Sequence, residues 1–488
     1  MLTSESASET LSRLTAFFSA RQLSAFLVGG YLRDSLLSIP SHDIDIAVPG
    51  DAHSLGQDLA RQLKGVYVPL GRAFNVARIV LPSGDGGWNI DLAGYAGSIE
   101  EDLARRDFTI NALALPVQHW TSAGWRENII DLAGGLGDLS RKYIRAVSPG
   151  VFQQDGGRLI RAVRLAARLK FRLEPGTAQM VRVCAPEVQR VSPERVRDEF
   201  LAILAADGAR SQLEVLDRLD LLCRIIPELA LTKGVDQPRV HYWDVWGHLL
   251  HSVETAELVT RGHQNSAIYS YVPWTLQTAQ YFSQEASDGH TRRTMLKLAA
   301  LLHDIAKPQT KSRDETGRTR FLGHSELGAE MAAQRLGQLR LSSRGIGMVS
   351  RMVEQHLRPA GMAPEMELPS NRAIYRYFRD LGEVAVDTIY LAMADYLAAK
   401  GPLVVPEHWA YHARIMAYIL QMGDQQAQPQ RRERLVTGVD LMQEFGLEAG
   451  PLIGVLLEKI DEARAAGEIS SREEALALAE QALNSPKD

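Results

Sequence analysis

The polar and apolar positions divide the chain into an α/β front and an all-helical remainder. Residues 8–22 place apolar side chains at helical spacing and lead into an apolar run, Ala25–Val28, that predicts a strand. After Gly29-Gly30, the segment Tyr31–Leu37 fits one or two helical turns. Asp43-Ile44-Asp45-Ile46 alternates polar and apolar, so both carboxylates point to one side of a half-buried strand. Asp51–Gln62 predicts a helix, followed by strand-like runs at Val66–Pro69, Ala77–Leu81 and Trp88–Ala93, divided by turns such as Ser83–Gly87. In the last run Ile90 and Leu92 face the core and Asp91 faces away from it. Phe152–Lys170 predicts a helix beyond its glycines, with Arg158, Arg161, Arg164 and Arg168 on one stripe. From about residue 236 the pattern is helical. A polar stretch at Gln264–Arg293 predicts an inserted loop or lid, and Gly423–Arg434 a linker. A Gly450-Pro451 turn separates two tail helices.

A length of 488 residues suggests about three domains. Composition is that of an ordinary globular chain, with 45% hydrophobic and 23% charged residues, so no segment needs treating as disordered by bias. Cys184 and Cys223 stand far apart and outside any C-x-x-C, which excludes a disulfide framework or a zinc ribbon and fits a reducing compartment. The opening MLTSESASET has neither a basic n-region nor an apolar h-region, and no apolar run approaches membrane-helix length. The expectation is a cytoplasmic protein with no membrane partner. A net charge of −5 means that any nucleic-acid site is a local patch. Residues 155–200 supply one, with nine Arg and one Lys against six acids. A solvated helix face is the alternative.

Gly29 and Gly30 let the backbone approach a bulky group such as a phosphate chain, and Arg33 is placed as a phosphate partner. Asp43 and Asp45 on one face are costly unless a cation lies between them, and Mg²⁺ suits carboxylate and phosphate oxygens. Asp91 becomes a third carboxylate if its strand neighbours theirs; otherwise it is a solvated strand aspartate. Arg105-Arg106-Asp107, followed by Asn111, reads locally either as a surface ion-pair cluster or as a binding motif. Asp155 and Arg158 can act together or pair with each other. An aspartate accepting from an exocyclic amine beside an arginine donating to a ring acceptor fits cytosine and adenine and rejects uracil and guanine. In the helical half, His248, the adjacent His303-Asp304, and Asp395 form an ordered set of metal-ligand types. His324 and His356 would complete a second metal position, Lys307 would hold a phosphate, and His251 is a decoy one turn past His248.

Together, Gly29, Gly30, Arg33, Asp34, Asp43 and Asp45, and the string DLARRDFTINALA at 102–114, resemble the class II tRNA nucleotidyltransferase and bacterial poly(A) polymerase family. The histidine and aspartate order resembles the HD metal phosphohydrolases. The resemblance implies a polymerase-beta-like α/β head, with a small mixed sheet and helices, at residues 1–147. It implies an all-α neck at 148–235, an HD domain at 236–410 and a helical tail at 411–488. It further implies tRNA, CTP and ATP as partners, with Asp43, Asp45 and Asp91 catalytic around Mg²⁺ and the 3′-terminal CCA of tRNA as product. The HD site would take Mg²⁺, Mn²⁺ or a transition metal. Arg105, Arg106, Asp107 and Asn111 would bind the nucleotide, as would Asp155, Arg158, Arg161 and Arg195. Gln154 stands where the family has Glu, and glycines fill the two positions between Asp155 and Arg158. The motifs do not separate CCA addition from A-addition or poly(A) synthesis, although the lack of a long basic tail speaks against the last. An HD phosphohydrolase with an RNA-binding head is the rival from another class. Oligomeric state is not legible.

Overall fold

The computed structural model describes residues 2–70, 75–81, 87–262, 266–362, 367–427 and 434–484, with side chains from residue 8 onward. The chain forms two compact units, Met1–Ser192 with Val215–Arg224, and Pro193–Glu214 with Ile225–Asp488.

In the first unit, helix α1 (Leu2–Ala20) buries Leu11, Leu14 and Phe17 and precedes a seven-stranded mixed sheet. The strands are β1 (Phe26–Val28), β2 (Asp43–Pro49), β3 (Val66–Pro69), β4 (Val76–Leu81), β5 (Trp88–Tyr95), β6 (Leu113–Pro116) and β7 (Ile130–Asp131), in spatial order β3-β4-β5-β2-β1-β6-β7. Among the described residues of this sheet, only β2 and β5 run parallel, with Asp45 opposite Asp91. A parallel neighbour needs a crossover, here supplied by helix α3 (Ala52–Leu63) and the β3–β4 hairpin. Ile44, Ile46, Ile90 and Leu92 are buried, so the alternation turns the aspartates to the other face. The Ser83–Gly87 turn falls largely outside the described residues.

Helix α2 is Gly29–Leu36, starting two residues earlier than the pattern predicted because the glycines themselves begin it. Helix α7 (Gly157–Leu169), preceded by α4 (Ile99–Ala104), α5 (Gly135–Arg141) and the single turn α6 (Val151–Gln154), has Leu159, Ile160 and Val163 in the core.

Among its described residues the second unit is mainly helical, with two small hairpins, Glu285–Ser287 with His290–Thr291 and Lys311–Arg313 with Thr319–Phe321. The first hairpin corrects an expectation. Within Gln264–Arg293, the stretch read as a loop or lid holds helix Leu276–Ser283 and a strand pair. Phe282 and Ala286 are buried there, a packing that a polar average over the segment conceals. The predicted linker also starts too early, because helix Pro406–Ala427 runs through Gly423, and residues 428–433 lie outside the described residues. The tail has its own apolar cluster around Leu441, Leu456 and Ile460. Arg372 and Arg376 tie helix Asn371–Leu381 to Glu462 of the tail helix Pro451–Ala466. Among the described residues, no helix is long and apolar enough to cross a membrane.

Candidate functional site

In the first unit, the carboxylate face of β2 and β5 opens onto a cleft of about 260 Å³, lined by Gly29, Gly30, Asp45, Asp91, Arg106, Asp107 and Asn111 among others. Gly29 adopts φ +62°, and a Cβ there would sit 3.2 Å from Arg106 Nη1 and 3.3 Å from Asp45 Oδ2. Gly29 is therefore favoured both by its left-handed backbone and by the aspartate and arginine packed against it, whereas at Gly30 the constraint is Asp45 Oδ2, 3.2 Å from where a Cβ would sit. Asp45 Oδ2 accepts the Tyr31 N–H at 3.1 Å. Its pKa is raised by burial, with Asp91 adding to the shift and Tyr31 and Arg106 opposing it. A buried carboxylate beside a second one is the setting that a divalent cation relieves.

The structure puts Asp91 beside Asp45 but gives both of its oxygens to Arg78, at 2.7 Å each. Asp43 Oδ1 accepts from Asn89 Nδ2 at 2.9 Å. The three aspartates thus share a face without forming one tight ligand group; among the described residues, the metal-ligand groupings all lie in the second unit. Arg78 and Asn89 were not legible in the sequence, because their roles depend on strand register.

Arg33 departs from its expected role. It is 3% exposed, with Nε donating to Asp34 Oδ1 at 2.7 Å and Nη1 to Asn111 Oδ1 at 2.7 Å, so its donors point inward and it lies outside the cleft lining. Asp107 Oδ1 accepts from Asn111 Nδ2 at 3.0 Å, and Arg106 is held by Asp102 at 2.9 Å. Asp155 and Arg158 are 4.0 Å apart at their closest charged atoms, and Arg158 Nη2 also donates to the Arg105 carbonyl at 3.1 Å. The basic stripe does not read as a free phosphate footprint. Arg158, Arg161 and Arg168 bond to Arg105, Asp107 and Asp34 within the unit. Arg195, expected at the nucleotide, lies in the first turn of helix Pro193–Ala205, which belongs to the second unit.

The second unit gathers His248, His303, Asp304, His324, His356 and Asp395 from five helices or their ends. His248 Nε2 lies 3.1 Å from His303 Nε2, 3.0 Å from Asp395 Oδ1 and 3.2 Å from Asp304 Oδ2. Asp304 Oδ1 faces His324 Nε2 at 3.3 Å and His356 Nε2 at 3.8 Å, so Asp304 joins two ligand groups. His303, His324 and His356 each place Nδ1 within 2.7–2.9 Å of the carbonyl three residues earlier. A carbonyl only accepts, so Nδ1 carries a proton and Nε2 is the atom turned towards the cluster. His324 Nε2 and Asp304 Oδ1 are buried without conventional hydrogen-bond partners, as metal ligands are when the ion is left out. The donor set fits a divalent metal. Burial opposes charging of His303, yet Asp304 and Asp395 outweigh it and raise its pKa to about 10, the proton standing where a cation would. Burial lowers His356 to about 4.

Beside the cluster is a cavity of about 290 Å³, walled by Lys307, Arg318, Arg320, Phe321 and His241 among others. Lys307 Nζ pairs with Asp304 at 2.5 Å. His241, with its Nδ1 buried and unpaired, was missed, since a histidine on a loop has no periodicity to mark it. His251 is the decoy expected, stacked on Trp243 at 4.0 Å and paired with Glu254 at 3.3 Å.

Comparisons with known proteins match four stretches of the chain. Residues 25–84 and 87–145 match the poly A polymerase head domain, and 274–400 match the HD domain. Residues 413–479 match tRNA nucleotidyltransferase domain 2, and 170–232 match a description of an RNA- and SrmB-binding site of polymerase A. The A-adding tRNA nucleotidyltransferase of Deinococcus radiodurans is 32% identical, with 93% of this chain and 94% of that one covered. The CC-adding enzyme of Thermus thermophilus is 33% identical, with 93% and 92% covered. Among solved structures, a CCA-adding enzyme complexed with ATP superposes with a TM-score of 0.65 at 21% identity, covering 98% of this chain and 96% of that one. The Thermotoga maritima CCA-adding enzyme with tRNA gives 0.61 at 21% identity, covering 98% and 95%. Those structures share the fold, while the relatives match in sequence from the head through the tail. The chain is a nucleotidyltransferase belonging to the tRNA nucleotidyltransferase and poly(A) polymerase family.

Proposed function

We propose that the protein adds nucleotides of the 3′-terminal CCA sequence to tRNA, from CTP and ATP, with protein side chains in place of a nucleic-acid template. The observation that carries this reading is the parallel alignment of Asp45 with Asp91 above the Gly29-Gly30 turn. Asp43 and Asp45 would hold Mg²⁺, which would supply activation of the tRNA 3′-hydroxyl and charge neutralisation on the departing pyrophosphate. Arg78 holds Asp91 oriented beside them. Arg106, Asp107 and Asn111 bind the ribose and triphosphate, and Asp155 with Arg158 reads the amine-then-acceptor edge shared by cytosine and adenine. The bonding of Arg158 to the Arg105 carbonyl connects base reading to the phosphate-binding motif.

The decisive experiment offers tRNA lacking one, two or three terminal nucleotides with each nucleotide triphosphate singly and in mixtures. Full restoration of CCA is the expected result. Extension that stops after CC, or that occurs only on tRNA already ending in CC, would reassign the chain to the partial activities of its Thermus and Deinococcus relatives. Failure with every tRNA would overturn the reading.

The pre-set Nε2 atoms of the second unit favour an additional activity, metal-dependent phosphoester hydrolysis with Mg²⁺, Mn²⁺ or a transition ion at the histidine cluster. Hydrolysis of p-nitrophenyl phosphate or bis-p-nitrophenyl phosphate across a metal series tests it. No turnover with any of these ions would reduce the cluster to a structural metal site.

A further inference from the structure

The arginine stripe of α7 has a use beyond base reading. Arg168 Nη2, at the far end of the helix from Arg158, pairs with Asp34 Oδ2 at 2.9 Å. Asp34 is buried and takes Arg33 on its other oxygen at 2.6 Å. Arg33 then donates to Asn111 Oδ1 at 2.7 Å, and Asn111 Nδ2 donates to Asp107 Oδ1 at 3.0 Å. Asp107 Oδ2 returns to α7 through Arg161 at 3.4 Å. The circuit leaves α7 at Arg168, crosses beneath the cleft and rejoins α7 at Arg161.

This circuit fixes what Asn111 can offer. Its carbonyl oxygen is held by Arg33 and one amide hydrogen by Asp107, so one amide N–H of this cleft-lining residue remains to donate. A ribose or phosphate oxygen is a suitable acceptor. Without Arg33 the amide is oriented by Asp107 alone, and the placement of its remaining N–H loosens. Asp34 is in turn needed by Arg33, because a buried guanidinium without its counter-charge is strongly unfavourable.

We infer that Arg168-Asp34-Arg33 is a positioning relay that locks the base-reading helix α7 to the Asn111 amide, so that base selection and nucleotide placement share one geometry. This rests on the proposed reading of the head. None of the three residues touches substrate in it; they act through Asn111 and α7.

The test uses the full chain with Arg168→Ala, Arg168→Lys and Arg33→Lys, and truncated tRNA with each of the four nucleotide triphosphates. Arg168 has a half-exposed side chain outside the cleft, so its removal leaves the fold standing. Small misplacements at a reacting centre cost up to about a hundredfold. Arg168→Ala is expected to lower kcat for CTP and ATP by roughly tenfold with little change in KM. It should also narrow the preference for C and A over U and G, and Arg168→Lys should recover most of both. Arg33→Lys should show the same pattern more strongly; if it fails to fold, the Arg168 pair decides alone. Unchanged kcat and unchanged preference in Arg168→Ala, with or without a lowered thermal midpoint, would make the circuit structural and overturn the relay. Wild-type protein that incorporates nothing would instead refute the head reading on which the relay depends.

Discussion

The head cleft and the histidine cluster each gather ligand types suited to a divalent cation, and they prepare for it in opposite ways. In the head the ligands are carboxylates on neighbouring strands, and the protein occupies part of them with its own cations and amides, Arg78 on Asp91 and Asn89 on Asp43. In the second unit four imidazoles join two aspartates, and three of the imidazoles, His303, His324 and His356, have their Nδ1 atoms tied to backbone carbonyls. Oxygen ligands with partial occupancy suit a hard ion that arrives with a triphosphate. A closed nitrogen-rich set suits an ion that stays. Ligand identity alone, without the partners that hold each ligand, would not distinguish these cases.

The sharpest way to break the comparison is to remove a head carboxylate. Asp45→Ala should reduce nucleotide incorporation about a thousandfold or more, equivalent to about 4 kcal/mol at the transition state, with circular dichroism and tRNA binding close to wild type. Near-normal incorporation under saturating Mg²⁺ would remove Asp45 from the chemistry.

The counterpart is His303→Ala combined with His356→Ala, which removes at least one ligand from each of the three candidate groups while leaving Asp304 to neutralise Lys307. Bound metal, measured by elemental analysis, and any phosphoesterase activity should fall to background while nucleotide addition continues within about threefold, since the two sites belong to separate units. Parallel loss of addition in a folded double variant would show that the sites are coupled.

A smaller effect is expected from Arg158→Ala. Misincorporation of U or G relative to C and A should rise by roughly ten- to a hundredfold, because a bidentate base contact is worth about 1–3 kcal/mol of discrimination. Equal slowing with all four nucleotides would assign Arg158 to holding the Arg105 carbonyl instead.

The smallest effect is in the pH dependence of the metal-free protein. Burial holds His241, His356 and His412 near 4, below the ordinary histidine value of 6.5. The unfolded chain therefore binds more protons between pH 4 and 6.5, and stability falls as pH drops through that window. Asp387, raised to about 6 by burial, opposes this with a single group. His303, raised to about 10, loses stabilisation as pH climbs from 6.5 towards 10. Urea midpoints in the presence of a chelator should peak near pH 6.5, and bound metal should flatten the alkaline side by displacing the His303 proton. A chelated protein whose midpoint keeps rising to pH 9 would contradict the His303 assignment.

Local patterns carried much of this molecule. The alternation in Asp43-Ile44-Asp45-Ile46 placed the aspartates on one face, and the order of histidines and aspartates named the six residues that the second unit brings together. What depended on pairing between distant segments was hidden. Arg78 faces Asp91 because of the β4–β5 register, and Arg33 turns inward because Asn111 lies opposite it. Four arginines at helical spacing marked the stripe, but nothing in that spacing told a phosphate surface from a docking face. The helix within Gln264–Arg293 was masked by polar residues around a few buried ones.

The alignment of Asp45 with Asp91 also bears on how such a head can diverge. The two acids are juxtaposed by hydrogen-bond register between β2 and β5, and their separation along the chain has no part in it. The connection from Gly50 to Gly87 is therefore open to lengthening or replacement, provided that β5 returns in step with β2 and a strand beside it still delivers an arginine to Asp91. A shift of one residue in that return is the change it cannot absorb, for it would turn Asp91 into the core and Ile90 into the cleft. Insertions in this family should accordingly collect in the crossover and spare the strands, leaving the chemistry fixed while the outline of the head changes.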